Sequence, residues 1–229
     1  MTDAAPVGTL QPWLVTLTRA WTRLLVRRVF RLTVIGADQV PVSGAVLLAG
    51  NHSGILDGPL VYAVSPRPAS FLTKAELFVG PLARALGWLG QISVHRGQPD
   101  RAALKAGLAV LARGEALGVF PEGTRGSGML DQTTDGLAYL ALRSGARVVP
   151  VAVYGTAVAL PRGTGRPRWG APITVVFGAP VTLTVTGDPR ARRTVKEAAE
   201  QLRLELVAHL DAAAPRTGST HGPMSKRTT

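Results

Sequence analysis

A chain of 229 residues, 46% of them hydrophobic, can bury one substantial core, and a single compact domain is the expectation. The absence of cysteine excludes disulfides and thiolate-held zinc or iron-sulfur centres, and the four histidines, at 52, 95, 209 and 221, follow no ligand spacing. A formal charge of +12 favours polyanionic partners. Aromatics make up only 5% of the chain and do not interleave with the basic residues, so anionic lipid or a phosphorylated substrate is expected ahead of nucleic acid.

Residues 10–27, LQPWLVTLTRAWTRLLVR, have the period of an amphipathic helix. Trp13, Leu14, Leu17, Trp21, Leu24 and Leu25 fall on one face, and Thr16, Arg19, Arg23 and Arg27 on another. Two readings stand. The tryptophans can sit at headgroup depth in a membrane with the arginines meeting lipid phosphates, or the apolar face can dock on the domain's own core. No run of about 18 apolar residues occurs, so a spanning helix is not expected, and no signal-peptide pattern opens the chain.

Beyond it, RLTVIG (31–36), AVLLAG (45–50), ASFLT, QISV, ALGVF (116–120), RVVPVAVYG and PITVVFGAP read as strands. ELFVGPLARALG, PDRAALKAGLAVLARG, DGLAYLALRSG and a final stretch of about 191–210 read as helices. The second of these helices carries Pro99 in its first turn and Gly114 as its stop. Such alternation predicts a single α/β domain with a mostly parallel central sheet flanked by helices. The boundaries that follow are an amphipathic membrane-interface helix at 1–30, the α/β domain at 31–211, and a basic tail at 212–229, which has too little to bury and is expected to be disordered.

Two clusters carry chemistry. His52 and Asp57, in GNHSGILDGP, follow a buried-type strand, and the carboxyl ends of strands face the ligand crevice in open α/β sheets. An imidazole can take a proton near neutral pH, and a carboxylate on its other nitrogen fixes the tautomer. A five-residue separation can close only across a turn. The alternative is a cap on a helix opening at Pro59 beside a satisfied buried histidine. The second cluster, VFPEGTRGSG (119–128), again follows a strand. Arg125 offers a fork for phosphate, Gly123 lets backbone amides approach an anion, and Glu122 is assigned an orienting role.

HxxxxD followed by FPEGTR resembles the glycerolipid acyltransferase family, in particular its bacterial 1-acylglycerol-3-phosphate acyltransferases. The likeness runs over about 30–180 and keeps the family's block order: NHSGILD, LTKAELFVGPLARALGWLG, ISVHRG, FPEGTRG, VVPVAV. It implies acyl transfer from a thioester of coenzyme A or acyl carrier protein to a hydroxyl of a lysophospholipid, with His52 as general base and Asp57 as its partner. It further implies Arg96 and Arg125 as phosphate ligands, and Glu122, Gly123 and Thr124 in the acceptor-binding block. Pro150 falls in a fourth, chiefly structural block. Lys74 aligns with a lysine that either adds a phosphate contact or packs its stem at the surface. Two departures are His95, where the family has an acidic or amide residue, and TTDG (133–136), where many members carry Phe-Lys-x-Gly.

The expected partners are therefore a lysophospholipid, an acyl thioester and an anionic membrane surface, with acyl carrier protein as one donor and no nucleic acid. The expected location is the cytoplasmic face of the cell membrane, held peripherally. No cofactor or metal is expected. A thioester hydrolase using the same pair and an acyltransferase for another lysolipid remain as rivals.

Overall fold

Each apolar run read as a strand is a strand in the computed structural model, which describes residues 11–95, 100–122, 130 and 135–214. In chain order the elements are α1 (Pro12–Val29), β1 (Arg31–Ile35), β2 (Val46–Gly50), α2 (Asp57–Val64), β3 (Ala69–Lys74), α3 (Gly80–Trp88) and β4 (Ile92–Val94). They continue with α4 (Arg101–Ala112), β5 (Ala116–Val119), α5 (Gly136–Ser144), β6 (Arg147–Tyr154), α6 (Thr156–Ala159), β7 (Pro172–Phe177) and α7 (Arg192–Ala213).

The strands form one sheet in the order β1-β7-β6-β2-β5-β3-β4. All pairings are parallel except β6 with β7. The pattern follows from burial: β2 and β5 are buried at every position, as strands covered on both faces must be, whereas the edge strand β1 alternates. Leu47, Ala49, Leu117, Val119, Val148 and Ala152 point to the side covered by α4, α5 and α7. Val46, Leu48, Ala116, Val149, Val151 and Val153 point to the opposite side, where α1 and α2 contribute Val15, Val61 and Tyr62.

One glycine in this core has a packing reason. A Cβ at Gly118 would lie 2.1 Å from the Phe71 ring, so only glycine lets that ring lie flat against β5. Phe71 in turn stacks with Phe120 at 6.0 Å, and Phe120 stacks on the His52 ring at 4.5 Å. The order of the site thus begins in the middle of a strand.

Two expectations need correction. The helix read from Glu76 starts only at Gly80, after a 3₁₀ turn at Ala75–Leu77. Pro81 is the cause: in a helix interior it would lose a hydrogen bond and clash with the preceding turn, but in the first turn it costs nothing. The short helix α2 was read only in the alternative that opens a helix at Pro59, and it begins at Asp57; α6 was not read as an element. Pro99, placed in the first turn of α4, lies outside the described residues; Asp100 is the N-cap, accepting from Ala103 N.

The largest correction concerns α1, which docks through its polar side. Arg19 donates to the carbonyls of Tyr62 and Ser65, Arg23 to that of Ala63, and Thr18 hydrogen-bonds the Tyr62 hydroxyl. The last carbonyls of a helix have no partner within it, and the guanidinium forks fill that vacancy at the end of α2. Burial lowers the Arg19 pKa, with the neighbouring Arg23 charge acting in the same direction. Among the apolar residues, Val15 and Val26 are buried, while Trp13, Leu17, Trp21, Leu24 and Leu25 stay exposed. Neither reading of α1 included the bonds from Arg19 and Arg23 to the carbonyls of α2, and the tryptophan face does not rest on the core.

Candidate active site

β2 is the central strand of the sheet, with β6 on one side and β5 on the other. Its register with β6 runs to Gly50↔Val151. Beyond that point Asn51 continues the pairing with its side chain, donating to Val153 O at 3.0 Å and accepting from Val153 N at 2.8 Å. His52 is thereby held at the carboxyl end of the sheet, 8% exposed.

The chain then turns so that Asp57, the first residue of α2, comes back to it. Asp57 is 0% exposed. Its Oδ2 lies 3.0 Å from His52 Nδ1 and accepts from the backbone amides of Ser53 at 2.8 Å and Gly54 at 2.7 Å. Its Oδ1 accepts from the Thr156 hydroxyl at 2.5 Å. A Cβ on Gly54 would sit 2.7 Å from Thr156 Oγ1, so the glycine of the turn is what permits this close approach. Because Oδ2 already accepts two amides, the proton between ring and carboxyl belongs on Nδ1, and the lone pair is left on Nε2. No hydrogen-bond partner for Nε2 lies among the described residues.

Glu122 comes to the same place. Its Oε1 accepts from His52 N at 3.2 Å, joining segments 70 residues apart. The two motifs found by sequence therefore meet. Glu122 has a partner that its residue type did not suggest, a backbone amide beside the dyad.

Lys74 ends β3, which is separated from β2 by β5. Its ammonium is 3.1 Å from Glu76, with both side chains largely in solvent. Arg96, Gly123, Thr124 and Arg125 lie outside the described residues.

The HxxxxD spacing occurs a second time, from His95 to Asp100, and there too the ring Nδ1 faces the carboxylate, at 3.2 Å. That histidine side chain is 72% exposed. Burial by itself would raise the Asp100 carboxyl, but hydrogen bonds from His95 N, Ala103 N and the His95 ring hold it below its ordinary value. It caps a helix beneath an exposed ring, whereas Asp57 is sealed beneath a ring stacked on Phe120. Sequence reasoning missed Asn51, Phe120 and Thr156 as shapers of the site. Thr156 is 99 residues from Asp57, and no local spacing signals it.

A family model described as Acyltransferase matches residues 31–154. The chain is 26% identical over 154 residues to the chloroplastic 1-acyl-sn-glycerol-3-phosphate acyltransferase of Arabidopsis thaliana, covering 64% of this chain and 42% of that protein. It is 32% identical over 132 residues to the 1-acyl-sn-glycerol-3-phosphate acyltransferase of Borreliella burgdorferi, covering 55% and 52%. With that of Limnanthes alba it shares 34% over 176 residues, covering 75% and 61%. The chain spans about half the length of the first two relatives. Its fold is similar to the crystal structure of the 1-acyl-sn-glycerophosphate acyltransferase of Thermotoga maritima, with a TM-score of 0.64 at 22% identity over 85% of this chain and 80% of that one.

Proposed function

The chain belongs to the acyltransferase family, and from that premise we propose that it moves a fatty acyl group from a thioester of coenzyme A or acyl carrier protein to the free hydroxyl of 1-acylglycerol 3-phosphate, giving phosphatidic acid. The observation that carries the proposal is the convergence of two motifs at one strand end. A buried His–Asp pair is tied by a backbone amide to the glutamate of FPEGTR.

In the proposed reaction His52 Nε2 removes the proton from the acceptor hydroxyl as its oxygen attacks the thioester carbonyl carbon. Asp57 balances the imidazolium that forms. The tetrahedral intermediate then expels the thiolate, which takes the proton back, so the new ester and free thiol balance without a cofactor. Arg96 and Arg125 are proposed to hold the acceptor phosphate, and Gly123, Thr124 and Glu122 to shape its pocket. Holding a group remote from the reacting hydroxyl makes attack effectively intramolecular.

Mass-spectrometric product analysis with acyl-CoA or acyl carrier protein donors and a panel of lysolipids tests this. Phosphatidic acid from 1-acylglycerol 3-phosphate is the expected product. Free fatty acid released equally with and without acceptor would identify a hydrolase instead, and preference for another lysolipid would move the acceptor assignment.

No helix among the described residues is long and apolar enough to cross a membrane. The exposed face of α1, with Trp13, Leu17, Trp21, Leu24 and Leu25, supports peripheral attachment to anionic lipid. Its start adjoins the end of α3, where Gln11 N donates to Trp88 O at 3.2 Å and Trp88 is itself exposed. Arg27 and Arg28 in the last turn supply positive charge. Fully burying one large apolar side chain is worth about 1.5–3 kcal/mol, so Trp13→Ser with Trp21→Ser should lower co-sedimentation with anionic vesicles at least about tenfold while leaving the melting temperature unchanged. Undiminished sedimentation would remove α1 from the interface. Deleting α1 is a poor substitute, because Arg19 and Arg23 also support α2.

A further inference from the structure

We infer that Thr156 is a positioning residue for this reaction, fixing the carboxylate of Asp57 in the orientation in which it serves His52; the inference rests on the acyl-transfer reading for its kinetic part only.

The two carboxylate oxygens are held differently. Oδ2 has the amides of Ser53 and Gly54 and the His52 ring, all from the same turn. Oδ1 has one partner among the described residues, the Thr156 hydroxyl at 2.5 Å, contributed by the segment that follows β6. Both residues are 0% exposed, so water cannot take over the bond if the hydroxyl is removed. The delivery is built into the sheet. β6 pairs with β2 through Gly50↔Val151, and Asn51 extends the contact to Val153, three residues before Thr156.

The direction of the bonds follows from donor capacity. A carboxylate only accepts, so Thr156 O–H donates to Oδ1. Its remaining lone pairs then accept from the Ser53 hydroxyl, 3.2 Å away. Ser53 to Thr156 to Asp57 forms a chain of aligned donors in a buried setting, where each bond polarises the next. The chain keeps the carboxyl plane from rotating away from Nδ1 and places positive hydroxyl dipoles against the oxygen that the ring does not reach. As the imidazolium develops, its counter-charge is therefore already in position, which is a contribution to turnover and not to substrate affinity.

The test is Thr156→Val, which removes the hydroxyl at nearly constant volume, beside Thr156→Ser, which keeps it. Loss of a hydrogen bond to a charged group predicts a fall in kcat of about tenfold or more for the valine variant, with both KM values unchanged within about twofold. The serine variant should stay within about threefold of the parent chain. A second readout needs no substrate: the proton on His52 Nδ1, observed by NMR, should shift in Thr156→Val and not in Thr156→Ser. Parental kcat and an unmoved resonance in Thr156→Val would overturn the assignment. Equal damage in both variants would do so as well, since it would point to the methyl group and packing. Should the valine variant fail to fold, Ser53→Ala reports on the same chain: a smaller shift supports it, and an unmoved resonance overturns it. If the protein transfers no acyl group at all but the resonance still responds to Thr156→Val, the positioning role stands and the reaction assignment falls.

Discussion

His52→Ala is expected to lower kcat for acyl transfer by about 10² to 10⁴, the range that a positioned general base supplies, with a folded protein left behind. Folding should survive because Asp57 keeps three of its donors, the Ser53 and Gly54 amides and the Thr156 hydroxyl, when the ring is removed. Acceptor and donor KM should change little, because in the proposed mechanism the imidazole acts on a proton in flight and not on either substrate's anchoring groups. Steady-state kinetics together with a thermal melt checks both halves. Turnover by a folded alanine variant within tenfold of the parent would remove His52 as the base.

Asp57→Asn is the second large effect, and its size discriminates between two roles for the carboxylate. In a His–Asp dyad an amide can turn its nitrogen to the ring, enforce the wrong tautomer and cost about 10⁴ in rate. That rotation is opposed here. The Ser53 and Gly54 amides point at the position of Oδ2 from 2.8 and 2.7 Å, and an amide nitrogen facing them would set donor against donor. The oxygen should therefore stay toward Nδ1, the tautomer should be preserved, and only the negative charge should be lost. The expected fall in kcat is nearer 10² than 10⁴. A loss as large as that of His52→Ala would show that the turn does not hold the amide. Asp57→Ala is a different experiment: it leaves two buried amides without an acceptor, at about 1–3 kcal/mol each, and should lower the melting temperature as well.

Much of the sheet was legible because its signal is local. Strands buried on both faces read as short apolar runs, and all seven runs are paired. What sequence could not supply was the facing of elements and the environment of motifs. The helical period of α1 separates two faces correctly but carries no information on which one docks, and the arginines turned inward because α2 ends beside them with unfilled carbonyls. The two His-xxxx-Asp spacings make the same point. Identical in sequence, they differ in that Asp57 lies beneath the β6 extension and Asp100 lies in a surface cap. The family resemblance singled out the buried one through FPEGTR, and Glu122 does reach His52. Thr156 was invisible because its relation to Asp57 exists only through the β2–β6 register. Of the residues named from sequence, Arg96, Gly123, Thr124 and Arg125 lie outside the described residues, and their contribution stays with the proposed mechanism.

α2 is eight residues long, which at 1.5 Å per residue makes a rod of about 12 Å. Its far end is gripped by Arg19 and Arg23 of α1, and its near end is Asp57 itself. A single stiff strut thus runs from the helix that would lie on lipid to the dyad. If α1 lies on lipid as proposed, the depth of its tryptophan face would set the altitude of His52 above the headgroups, and a change in bilayer composition that lifted or sank α1 would carry the imidazole with it.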